Sequence, residues 1–140
     1  MPKHIQISLL LLGLVVIDAS GDALGLIGWQ IPSHTMEVVQ VAGWILIWAL
    51  YGFKGYYIVM YVLGRIWAFD LVHNLWTGEH ILYMGLNDVF GLSVRWFADL
   101  VKQNYYHFSF MLKFISLVWW VAWLLTDGNA RALFIRKPKM

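Results

Sequence analysis

Apolar residues in this chain come in long runs rather than at the short spacings of a half-buried strand or a surface helix. The first run covers Ile5 to Ile17, follows Lys3 and His4, resumes at Ala23 and continues to Ile31. Its first part has the length of a signal-peptide hydrophobic region, with Ile17-Asp18-Ala19 as a weak cleavage sequence. The resumed stretch supplies the roughly 20 residues that a full crossing needs. Residues 5–31 therefore read as a first transmembrane helix, interrupted by Asp18, Ser20 and Asp22. Pro32, Ser33, His34 and Thr35 are expected to form a turn, with Ser33 or Thr35 as N-cap and Glu37 near the positive end of the next helix.

A second span is expected over 36–53, its stretch Val41 to Leu50 free of charge, and Lys54-Gly55 punctuates the turn that follows. The third covers 56–76 and stops at Thr77-Gly78. Residues 79–91 contain Gly85 and Gly91 and keep no clean period, which reads as a loop or a broken helix. From Asp88 to Gln103 the pattern becomes amphipathic. Val89, Phe90, Trp96, Phe97, Leu100 and Val101 share one side at helical spacing. Asp88, Arg95, Asp99, Lys102 and Gln103 take the other, as in a helix lying in a membrane surface. The last span is expected over 105–125, followed by a polar, basic tail over 126–140. The pattern predicts an all-α polytopic membrane protein: one domain over 1–140, a four-transmembrane-helix bundle with an amphipathic surface helix before the last span.

Composition strengthens this reading. Hydrophobic residues make up 61% of the 140 and charged residues only 13%, with a mean hydropathy of +0.65. Soluble domains carry about a quarter charged residues, so too little polar surface remains here to coat a globule in water. With no cysteine there is no disulfide, thiolate metal site or thiol nucleophile. The net charge is only +2, but its placement sets orientation. Lys3, Lys54, Arg131, Arg136, Lys137 and Lys139 fall on one side of a four-span topology, and only Arg95 and Lys102 on the other. The positive-inside bias places both termini in the cytoplasm, in an inner membrane. Tyr51, Tyr56, Tyr57, Trp119, Trp120 and Trp123 mark the inner boundary, and Trp29, Trp76, Tyr105 and Tyr106 the outer one.

Five charges fall inside apolar spans: Asp18, Asp22, Arg65, Asp70 and Lys113. Each costs about 2.5–3.5 kcal/mol at a helix centre, so they should pair and face inward. Counting the helical rise puts Asp18 and Arg65 at one depth near the midplane, and Asp22, Asp70 and Lys113 together nearer the outer surface. An Asp18–Arg65 pair and an upper group of the other three are expected. Asp70, His73 and Asn74 share a face at i, i+3 and i+4, with Arg65 well off it. Gly21 and Gly25 lie on the same face of the first helix as Asp18 and Asp22, where small residues admit a close neighbour.

Other chemistry is sparse. His34, Glu37, His73, Glu79, His80, Asp88 and His107 fall toward the outer side, and imidazole with carboxylate suits a divalent transition metal. None has a ligand spacing such as H-E-x-x-H, and a bis-histidine haem would need facing histidines at matched depth. No cofactor is predicted beyond lipid, and neither metal nor haem is expected. Phosphate-binding glycine loops, nucleophile elbows and the K⁺-filter sequence are absent from the sequence. The short basic tail suits anionic lipid rather than nucleic acid.

Three functions fit these residues. The first is a non-catalytic subunit of a membrane complex, whose buried ion pairs set helix register or meet other subunits. The second is a small self-associating channel or proton-coupled transporter, including a phage-type pore former, using the intramembrane Asp, His and Lys groups. The third is a membrane enzyme with an outer-side metal site.

Overall fold

The computed structural model describes residues 1–83 and 89–126, with the backbone alone at 89–91. Helices α1 (Lys3–Leu26), α2 (Gln30–Tyr51), α3 (Gly55–Gly64), α4 (Asp70–Thr77), α5 (Val89–Leu100) and α6 (Tyr105–Thr126) account for nearly all of it, with no strand among the described residues. A π turn over Arg65–Phe69 joins α3 to α4, so the two run on as one long helix, Gly55–Thr77. Three helices are long and apolar enough to cross a membrane: Lys3–Leu26, Gly55–Thr77 and Tyr105–Thr126. The expected count was four. Helix α2 has the length, 22 residues, but Gln30, His34, Glu37 and Gln40 in its first half dilute its apolar character.

The α1–α2 turn also differs from expectation. It lies at Ile27–Trp29, and Pro32 to Thr35 are helical. Gly28 turns the chain with φ +90, a conformation glycine adopts without steric cost. Pro32 then falls in the first turn of α2, where a missing N–H breaks no helical bond. Thr35 is not a cap; its Oγ1 donates to Ile31 O at 2.9 Å. Farther on, α4 stops at Gly78, with φ +74, where the Glu79 N–H bonds back to Asn74 O at 3.1 Å. This is the left-handed glycine ending that satisfies the last carbonyls of a helix.

Helix α1 is the centre of the bundle: 56% of its apolar window is buried, against 22% for each of the other two long helices. Ile7, Leu11 and Leu14 cluster with Ile47 of α2, Tyr57 and Met60 of α3, and Trp120 of α6. Helices α1 and α2 lie antiparallel and very close. A Cβ on Gly21 would sit 3.0 Å from Met36 Cβ, one on Gly25 3.0 Å from Ser33 Oγ, and one on Gly43 would collide with Leu14 Cδ2. A Gly25→Leu variant is therefore expected to lose about 1–2 kcal/mol by forcing the helices apart. Gly13→Leu, with nothing within 4 Å of its Cβ position, is the neutral control. Thermal unfolding followed by circular dichroism in mild detergent compares them.

Helix α6 buries Ser109, Lys113, Ser116 and Trp120, a single stripe at spacings of three and four. Its small serines let it approach the Gly55–Thr77 helix. Helix α5 packs on α6 through Val94 and Ala98, which are buried. Trp96, Phe97, Leu100 and Val101, read from the sequence as its apolar side, are turned outward. Beside the apolar core, several small polar residues are buried and many large apolar ones are exposed. Ser8, Ser20, Ser33, Asn74, Ser109 and Ser116 are inside, while Val41, Ile45, Trp48, Phe110, Phe114 and Val118 are outside.

Candidate functional site

Two ion pairs tie the Gly55–Thr77 helix to its neighbours on either side. On the first side Arg65 Nη1 meets Asp18 Oδ2, cross-linking the π turn to α1. Tyr61 Oη donates to the same carboxylate oxygen at 3.2 Å, and Gln40 Nε2 of α2 donates to Tyr61 Oη at 2.8 Å. A polar chain thus runs Gln40–Tyr61–Asp18–Arg65 across α2, α3 and α1. The guanidinium also lies 4.1 Å over the ring of Phe69, a cation–π contact. The pair is asymmetric in exposure: the Asp18 side chain is 16% exposed and that of Arg65 44%.

On the other side Lys113 Nζ of α6 donates to Asp70 Oδ2 at 2.7 Å and reaches Ile66 O at 3.4 Å. Ile66 lies within the π turn, where bonding from i to i+5 departs from the regular α ladder. The ammonium offers that carbonyl a donor from outside the helix. The sequence reading put Arg65 well off the face of Asp70, and the two residues do meet different neighbours, α1 and α6. In an uninterrupted α-helix, residues five apart lie about 140° apart around the axis. One helix therefore reaches α1 and α6 from different sides. Beside the turn, the rings of Trp67 and Trp120 meet edge-on at 5.8 Å, and both indole Nε1 atoms are buried with no hydrogen-bond partner among the described residues.

A third cluster fastens the segment after α4. Asn74, buried, donates from Nδ2 to His80 O at 2.9 Å and Tyr83 O at 2.7 Å, and Ser109 Oγ of α6 donates to Leu82 O at 2.7 Å. Trp76 Nε1 donates to Ser20 Oγ at 3.0 Å, closing the same end onto α1.

Asp22 does not join Asp70 and Lys113. It is exposed and forms no hydrogen bond among the described residues; the charges it feels are those of His73 and Glu37. Helix α1 ends at Leu26, five residues before the expected boundary, so Asp22 lies about one turn from the helix end. Equal depth did not mean a shared face: Asp70 looks toward α6 and Asp22 away from it. His73 stacks on Phe69 at 6.0 Å between centroids. Gly21 and Gly25 lie in the α1–α2 contact already described.

For the outer-side candidates, His34 Nδ1 contacts Glu37 Oε2 at 3.1 Å in an exposed pair, and His80 packs on Tyr106 at 4.7 Å. Among the described residues no three His, Asp or Glu side chains converge as metal ligands, and Asp88 lies outside those residues. Sequence reasoning missed Gln40, Tyr61 and Ser109. The first two carried a legible signal, an amide and a phenol deep in apolar runs; the π turn carried none.

No protein-family model matches the chain, and neither a curated protein nor a solved structure matches it.

Proposed function

We propose that this chain is an integral inner-membrane protein with four crossings and cytoplasmic termini, serving as a non-catalytic subunit of a larger membrane assembly. The Arg65–Asp18 pair, in which the arginine side chain is 44% exposed, carries this reading. Arg65 lies about 15 Å from one end of the Gly55–Thr77 helix and about 18 Å from the other, too deep for an arginine side chain to reach either headgroup layer. Lipid tails solvate even a paired cation poorly there. A polar surface of a neighbouring subunit solvates it better. The outward apolar residues of α2, α5 and α6 leave ample area for such contacts. The fourth crossing rests on α2 lying antiparallel along α1, through Gly21, Gly25 and Gly43, which gives it the same reach.

Native mass measurement after gentle solubilisation tests the assembly. A complex heavier than the chain is expected, and it should dissociate in Asp18→Asn/Arg65→Gln. Replacing both partners avoids a stranded charge, so the fold should persist. A chain that runs alone, or a complex indifferent to the double variant, would count against the reading.

The string of polar groups from Gln40 through Tyr61 to Asp18, with Asp22 and His73 beyond, favours a second reading as a proton-coupled transporter. Asp70 and Lys113 lie on the other side of the helix and stand outside that route. Proton flux into proteoliposomes that survives Asp18→Asn and Asp22→Asn unchanged would remove it.

A further inference from the structure

At the end of the bundle where α1 begins, α2 ends and α3 begins, a cavity of about 340 Å³ opens between the three segments. Lys3, His4, Tyr51, Lys54, Tyr56 and Tyr57 line it, and no carboxylate does so among the described residues. Lys54 Nζ lies 5.9 Å from the ring of Tyr56, over the mouth. Helices α1 and α3 both start here, with neither a side-chain cap nor an acidic residue in the first turn. Their positive ends and the lysine ammoniums therefore act on the same space. Ile7, which is buried, and Leu50, which is exposed, complete the walls. The lining thus combines basic groups, phenols and apolar side chains.

We infer that this cavity binds the phosphate headgroup of an anionic phospholipid of the cytoplasmic leaflet. Lys3 and Lys54 pair with the phosphate, the tyrosine hydroxyls face the glycerol region, and the acyl chains follow the outward apolar surface of α1 and α2. Basic pockets between helices on the cytoplasmic side have the chemistry that holds such headgroups, and tyrosine rings suit the same depth. Free phosphate shares the headgroup chemistry but would leave the apolar and aromatic lining unused. The inference rests on the membrane reading above.

The test uses the full chain in nanodiscs of phosphatidylcholine doped with phosphatidylglycerol, with retained lipid counted by native mass spectrometry. Anionic lipid should be enriched over its bulk share, and Lys3→Gln and Lys54→Gln should each lower that enrichment about fivefold. Lys102→Gln, in the turn after α5 at the far end of the topology, should leave it unchanged. Equal retention of both lipids, or an equal loss from Lys102→Gln, overturns the assignment. So does full displacement of lipid by millimolar inorganic phosphate, which would make this a free-anion site. Alkaline carbonate extraction of the same chain from vesicles separates the two claims. Release to the supernatant sinks the membrane reading itself; a chain held in the pellet without anionic enrichment sinks the headgroup site alone.

Discussion

Lys113→Met is expected to destabilise the protein by about 3–5 kcal/mol, the usual result of removing one member of a buried ion pair. The side chain of Lys113 is 6% exposed and that of Asp70 18%, so solvent offers the stranded carboxylate little compensation. Ile66 O in the π turn loses its external donor at the same time. The stem itself is closely matched by methionine, which confines the loss to the charge. Adding Asp70→Leu to Lys113→Met should recover most of the stability, because two apolar groups then face each other and no charge is stranded. Chemical unfolding in detergent, run as a double-mutant cycle, measures the coupling; additive single effects would show that the two side chains do not support each other.

Asn74→Leu should have the next largest effect, about 2–3 kcal/mol. Its amide serves two carbonyls, His80 O and Tyr83 O, and each hydrogen bond lost costs about 1 kcal/mol. Leucine keeps the branched outline of asparagine, so the loss is chiefly one of hydrogen bonding. The readout is local: backbone amides over 79–83 should exchange with deuterium much faster, while those of α1 stay protected. Protection retained over 79–83 would mean that Ser109, through Leu82 O, holds the segment without Asn74.

Helices were legible in the sequence because long apolar stretches of this length leave the backbone few other ways to satisfy its hydrogen bonds. Their junctions were less so. Pro32 reads as a breaker, yet proline breaks a helix only where its missing N–H or its ring meets a preceding turn, and here Gly28 had already ended α1. Depth could be counted from the sequence, which brought Asp18 near Arg65 and Asp70 near Lys113 in the reading. How each helix is rotated against its neighbours could not. Asp22 shows the same gap: its level was countable, its direction was not. Gln40 and Tyr61 were passed over because they carry no charge, although a hydrogen-bonding group deep in an apolar run needs a partner as surely as an ion does.

The two ion pairs join one helix to its neighbours with opposite polarity: the Gly55–Thr77 segment supplies the cation to α1 and the anion to α6. Asp18, Arg65, Asp70 and Lys113 therefore sum to zero within a short stretch of the bundle. A transmembrane voltage acts on net charge with about 2.3 kcal/mol per elementary charge per 100 mV. Across these four groups it finds only two short, locally closed dipoles. In the bilayer proposed above, these four groups would thus give a changing potential no net charge to pull on.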